Sequence, residues 1–238
     1  MLIFKVLSLL LSYPEAEMLE ALDEMAGIIE TDPHISQQTR RSLLTLIAGQ
    51  RDSDLLDLQE NYVALFDRGR FLSLHIFEHV HGESRDRGQA MVSLLEMYQS
   101  HGYEMDSREL PDYVPLFLEF LSQLQSTPDV LQLLQDAMPV LSLLGARLNE
   151  RGSAFAAIFA ALADLAGEPE DIVAIRQQVA GEGDDETLLN IDAIWEEEAV
   201  RFMSNEDICK SQAATTSPIN ITPREQFTQL RDHSRHGG

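Results

Sequence analysis

Three observations on the sequence predict an all-α fold. Apolar residues recur at three- and four-residue spacing along almost all of positions 1–203, the spacing of a helix with one buried face. Leucine dominates the apolar set and β-branched runs are scarce, which favours helix. No stretch shows strand-length alternation bounded by turns. Without a fixed-period repeat to suggest a solenoid, the pattern predicts a single-domain bundle of roughly eight to ten helices.

The elements follow in order. Leu2, Val6, Leu9 and Leu10 make a first stripe, ended by Pro14. Met18, Leu19, Leu22, Met25 and Ile29 make a second, and Leu43, Leu46 and Ile47 a third. Leu55, Leu58, Tyr62, Leu65 and Phe66 form a fourth, with Asp52 or Ser53 as its N-cap. Met91, Leu94, Leu95 and Tyr98 form a fifth, closed by Gly102. Tyr113, Leu116, Phe117, Phe120, Leu121 and Leu124 form the cleanest stripe, with Pro111 or Pro115 in its first turn. Leu134, Met138, Leu141, Leu144 and Leu148 follow, with Pro139 expected to kink or restart that helix. Phe155, Ile158, Phe159, Leu162 and Leu165 end near Gly167, and Leu188, Ile191, Trp195 and Phe202 make the last stripe. Glu182–Glu186 reads as an acidic loop. Positions 204–238 have few large apolar residues and read as a disordered C-terminal tail.

Composition narrows the function. The chain carries 17 Lys and Arg against 40 Asp and Glu, a net charge of −23. Such a surface repels nucleic-acid phosphates and anionic lipid headgroups and steers toward basic partners. The single cysteine, Cys209, excludes an intrachain disulfide and any multi-thiolate metal site, and fits a reducing compartment. The apolar start, MLIFKVLSLLLS, has one basic residue and no small-x-small cleavage site, so it reads as a half-buried helix rather than a secretion signal. No run approaches the ~18–20 apolar residues of a membrane span. A cytoplasmic protein is expected.

The chemistry concentrates in Phe66–Met91, FDRGRFLSLHIFEHVHGESRDRGQAM. His75 and His79 stand at i and i+4, and with Glu78 or Glu83 they could build a metal site if they shared a helix face. The spacing is not H-E-x-x-H, and the alternative is imidazoles that bridge helix ends by hydrogen bonds or line a polar pocket. Arg68, Arg70, Arg85 and Arg87 alternate with Asp67, Glu83 and Asp86. Either these form an internal ion-pair network, or part of them reaches a ligand or partner chain. Gly69, Gly82 and Gly88 suit turns but form neither a P-loop nor a dinucleotide fingerprint. Ser84 does not sit in a nucleophile elbow, so catalysis has no positive support. The Tyr113–Leu124 stripe reads as core, although an all-α binding protein would also need an apolar groove for an amphipathic helix.

The run Tyr62–Arg70, the run Phe77–Met91, the segment Ser107–Tyr113, Trp195–Glu198 and the N-terminal Leu10-Leu11-Ser12-Tyr13-Pro14 together resemble the NarJ-type chaperones. These are also called the delta subunit, or molybdenum-cofactor assembly chaperone, of respiratory nitrate reductase. The resemblance covers about positions 1–203, and its central motif is long and specific. It implies a TorD-like, NarJ-like all-helical fold and a cytoplasmic private chaperone that is not an enzyme and needs no cofactor of its own. Its partner would be the apo catalytic (alpha) subunit, bound chiefly at an N-terminal amphipathic basic segment. The chaperone would hold that subunit for molybdenum-cofactor and iron–sulfur insertion before membrane docking, with the cofactor-insertion machinery as a further expected partner.

Motif density places the client face on Tyr62, Phe66, Asp67, Phe77, Glu78, His79, His81, Arg85 and Asp86, with Tyr113, Leu116 and Glu119 across a groove. Apolar burial would supply most of the binding energy and charge would tune its rate and salt dependence. The histidines, titrating near neutrality, would make affinity depend on pH. Two other classes stay open: a small-ligand or metal-dependent enzyme built on His75, Glu78 and His79, and a structural subunit of a membrane complex.

Overall fold

The computed structural model describes residues 1–82, 84–105 and 109–183, all within a unit that runs from Met1 to Leu189. The described residues fold as eleven α-helices with no strand, so the all-α bundle expected from the sequence is the fold observed. They are α1 (Leu2–Leu11), α2 (Ala16–Glu20), α3 (Leu22–Thr31), α4 (Gln37–Arg51), α5 (Leu55–Tyr62), α6 (Ile76–His81), α7 (Arg85–Ser100), α8 (Val114–Gln123), α9 (Thr127–Glu150), α10 (Ala156–Ala166) and α11 (Ile172–Gly181). None of the described helices is long and apolar enough to cross a membrane.

Two helix pairs build the core. α1 packs on α8, and Phe4, Leu7 and Leu11 of the first and Leu118 and Leu121 of the second are all buried. Each such side chain contributes ~1.5–3 kcal/mol when taken out of water. Polar contacts fix the register of the pair: the Ser8 hydroxyl donates to the Pro115 carbonyl at 2.7 Å, and Lys5 pairs with Glu119. α9 and α10 form the second pair. A Cβ on Gly145 would lie 2.7 Å from Phe159 Cβ, so only glycine lets the two helices come this close. α4 packs on α3 and α10; Ser36 caps it through Thr39 N–H and itself donates its backbone N–H to Asp164.

Several elements differ from their sequence reading. The second stripe is split at Ala21 into α2 and α3. The cap of α5 is Asp54, whose carboxylate accepts from Leu56 N–H; neither Asp52 nor Ser53 caps it. Pro115, and not Pro111, sits in the first turn of α8. α9 runs unbroken through Pro139, which is exposed. α6 and α11 were not distinguished in the sequence: α6 is only six residues long, and α11 buries only Ile175 and Val179. The Leu188–Phe202 stripe, Cys209 and the expected tail lie outside the described residues.

Candidate functional site

The charged motif is shaped by an irregular turn. Beyond Tyr62, α5 widens into a π-helical turn, Val63–Asp67, with Arg68 N–H bonded to the Val63 carbonyl at 3.2 Å. The wide turn seats Phe66 in the core and leaves Asp67 exposed. The chain then returns to the body of the protein through a two-bond clasp. Val114 N–H donates to Leu74 O at 2.8 Å, and Ile76 N–H donates to Asp112 O at 3.0 Å, around an isolated antiparallel bridge between His75 and Tyr113.

Between the two segments lies a cleft of about 480 Å³, lined among others by Tyr13, Tyr62, Phe66, Asp67, Glu109 and Tyr113. Its wall is an aromatic series: Tyr13 stands edge-on to Tyr62 with ring centres 5.6 Å apart, Tyr62 lies 4.9 Å from Phe66, and Phe66 lies 5.2 Å from Phe155. The Tyr62 hydroxyl donates to the Leu11 carbonyl at 3.1 Å, which leaves the Tyr113 hydroxyl, 2.8 Å away, to donate to Tyr62. Burial raises the pKa of both tyrosines, with Asp67 and Glu109 adding to the rise in each. Both therefore stay protonated at neutral pH and hold this hydrogen-bonded chain.

Behind the cleft is a fully buried carboxylate, Asp112. It accepts from Phe77 N–H at 3.1 Å, capping α6 from a distant part of the chain, and bonds His75 Nδ1 at 3.2 Å. Arg87 approaches it at 4.0 Å. A second centre forms at Arg147, buried on α9. Its guanidinium makes a two-bond pair with Glu182 (2.8 and 2.6 Å), donates to the Phe71 carbonyl at 2.8 Å, and lies 4.4 Å over the Phe71 ring. It also approaches His79 Nδ1 at 3.4 Å, while His79 Nε2 bonds the Ser73 carbonyl at 2.8 Å.

Burial lowers the pKa of His79 below its ordinary 6.5, and the nearby Arg147 lowers it further, against the raising pull of the Ser73 carbonyl. His79 is therefore neutral at pH 7, and the expectation that it titrates near neutrality is corrected. The unfolded chain binds its proton more readily, so the stability linked to His79 is complete above about pH 6.5 and is lost as pH falls through the lower folded value. Glu182 follows the same sign in a lower window: its hydrogen bonds from Arg147 depress its pKa, and its contribution is lost below about pH 4.5. His79→Gln should flatten the fall in thermal midpoint between pH 7 and pH 5. An unchanged slope would remove His79 from that role.

The candidate residues separate into four places, one of them the Arg147 centre that holds His79. Tyr62, Phe66, Asp67, Glu78 and Tyr113 meet in the cleft, although Tyr62 and Phe66 are buried and shape it more than they face solvent. Phe77 and His81 form a ring pair on α6, and Arg85 and Asp86 are exposed in the first turn of α7. Leu116 and Glu119 do not line the cleft: Leu116 is buried in α8, and Glu119 pairs with Lys5 on α1. His75 and His79 do not share a helix face, because His75 is the N-cap of α6 and bonds Asp112 while His79 turns to Ser73 and Arg147. The arginine network is partial: Arg70 lies 3.9 Å from Glu78 and Arg87 approaches Asp112, while Arg85 is exposed. Tyr13, Glu109, Asp112, Arg147 and Glu182 were missed as site residues. Arg147 carried a readable signal, since it stands three residues after Leu144 on an otherwise apolar face.

Residues 30–161 match the family described as nitrate reductase delta subunit, a span that includes all of the candidate residues. The chain is 42% identical over 210 residues to the nitrate reductase molybdenum cofactor assembly chaperone NarJ of Escherichia coli K12, covering 88% of each chain. It is equally 42% identical over 229 residues to the probable nitrate reductase molybdenum cofactor assembly chaperone NarW of the same strain, covering 96% of this chain and 94% of that protein. Similarity extends to a probable NarJ chaperone of Bacillus subtilis 168, at 34% identity over 117 residues, 49% of this chain and 62% of that one.

Proposed function

Because the chain belongs to the nitrate reductase delta subunit family, we propose that it is an assembly chaperone for a respiratory nitrate reductase. It binds the apo catalytic subunit, chiefly through that subunit's N-terminal segment, and holds it for molybdenum-cofactor and iron–sulfur insertion before membrane docking. It acts in the cytoplasm, as one domain over 1–203 followed by a tail. The observation that carries this reading is the 42% identity spread over 88% of both chains, which leaves no room for a borrowed motif on another body. The site agrees in kind. It offers an aromatic cleft in an acidic surface, suited to hold an apolar segment with basic residues.

Calorimetric titration with a synthetic peptide of the catalytic subunit's N-terminus tests the reading. Saturable 1:1 binding that weakens at high salt is expected, because the acidic surface contributes to encounter. Retained affinity after Arg85→Ala would take the α6–α7 corner out of the contact and leave the cleft. Absence of binding at either salt concentration would sink the N-terminal segment as the client contact. The structural-subunit alternative separates by co-purification: a chaperone accompanies the apo form and is absent from the mature enzyme.

A further inference from the structure

Two carboxylates in the cleft are left unused by the contacts described so far. Asp67 leaves the end of the π-helical turn and Glu109 stands on the segment leading to Tyr113; both line the cleft. Neither has a hydrogen-bond or ion-pair partner among the described residues. Both share the lining of the cleft with Tyr62 and Tyr113. Of the cleft's own cations, Arg70 lies 3.9 Å from Glu78 and His75 bonds the buried Asp112, while Arg68 lines the cleft and is exposed to solvent. Tyr13, 43% exposed, makes the aromatic wall reachable from solvent. Carboxylates beside an accessible aromatic wall match one chemistry: a cation on an apolar stem, attracted by the charges and by the ring faces together.

We propose that this cleft is a socket for a single cationic side chain, guanidinium or ammonium, carried by an apolar helical segment of the partner. Its charge sits between Asp67 and Glu109 and its stem lies along Tyr13 and Tyr62. The identity of the partner rests on the chaperone reading above; the chemistry of the socket does not.

The test titrates the full chain with a model amphipathic peptide bearing a leucine stripe and one central arginine, and with its Arg→Lys, Arg→norleucine and Arg→Glu forms. The same series is run on the Asp67→Asn/Glu109→Gln protein, whose fold is checked by its thermal midpoint. The arginine and lysine peptides should bind the unaltered chain about tenfold or more tighter than the norleucine peptide, the scale of a partly desolvated charge pair. The double substitution should erase that preference. Equal affinity for arginine and norleucine peptides, a preference that survives the substitution, or no binding of the arginine peptide would each overturn the socket. The nitrate reductase N-terminal peptide, run alongside, separates the two ideas. If it fails while the arginine preference holds, the partner reading falls and the socket stands. If it binds equally well to the substituted protein, the socket falls and the partner stands.

Discussion

Asp112→Ala should lower stability by about 3 kcal/mol, the scale for stripping the acceptor from buried polar groups. Three groups converge on this fully buried carboxylate: Phe77 N–H, His75 Nδ1 and, at 4.0 Å, Arg87. Alanine leaves α6 uncapped and Arg87 without its counter-charge, although Arg87 Nε is already buried without a hydrogen-bond partner. A loss of that size in a chain of this length corresponds to roughly 10 °C in thermal midpoint. Asp112→Asn should fall between the two, because one oxygen still serves Phe77 N–H while the amide group presents donors to His75 and Arg87. The same substitution loosens the clasp that holds Tyr113 to His75, so client affinity should drop with stability. Urea unfolding of the alanine variant within about 1 kcal/mol of the parent would refute this account of Asp112.

Arg147→Ala should be of similar severity, about 3 kcal/mol, the lower end of what breaking a buried ion pair costs. The lower end applies because the Glu182 side chain keeps 16% of its surface in water, whereas that of Arg147 keeps 9%. Alanine removes the donor to the Phe71 carbonyl, the cation over the Phe71 ring and the pair with Glu182. Arg147→Met keeps the apolar stem and should recover part of the packing. Adding Glu182→Gln to it should recover more, since a neutral amide is easier to leave without the guanidinium than a carboxylate. Thermal unfolding of the two single variants and the double reads the coupling. A double variant no more stable than Arg147→Met would place the cost in the Phe71 contacts instead.

How far the sequence carried this molecule depends on the kind of interaction. The long stripes of α1, α8 and α9 were legible because a buried helix face writes its period directly into residue order. The break at Ala21 and the unbroken course through Pro139 were not, since both turn on which competing local preference tertiary packing lets stand. Within the site, Tyr62, Asp67 and Tyr113 were found because the motif that carries the resemblance contains them. Arg147 and Glu182 were not, because their value lies in a meeting across 35 positions. Leu116 and Glu119 were assigned to the groove by motif density, as neighbours of Tyr113. The stripe located the buried side of α8 correctly, but a helix has two flanks and periodicity does not say which flank meets which neighbour. His75 and His79 were paired by counting residues along a helix that begins only after His75.

The clasp has a consequence for the order in which the molecule assembles. α9 and α10 are neighbours in sequence and meet after closing only a short turn, which is fast. The cleft needs Tyr62 joined to Leu11 across 51 positions and Phe77 to Asp112 across 35. Each of those loops must be closed before its contacts repay the entropy spent. The α9–α10 hairpin is therefore the early structure and the cleft the late one. A newly made chain would become able to grip a partner only at the end of its own folding.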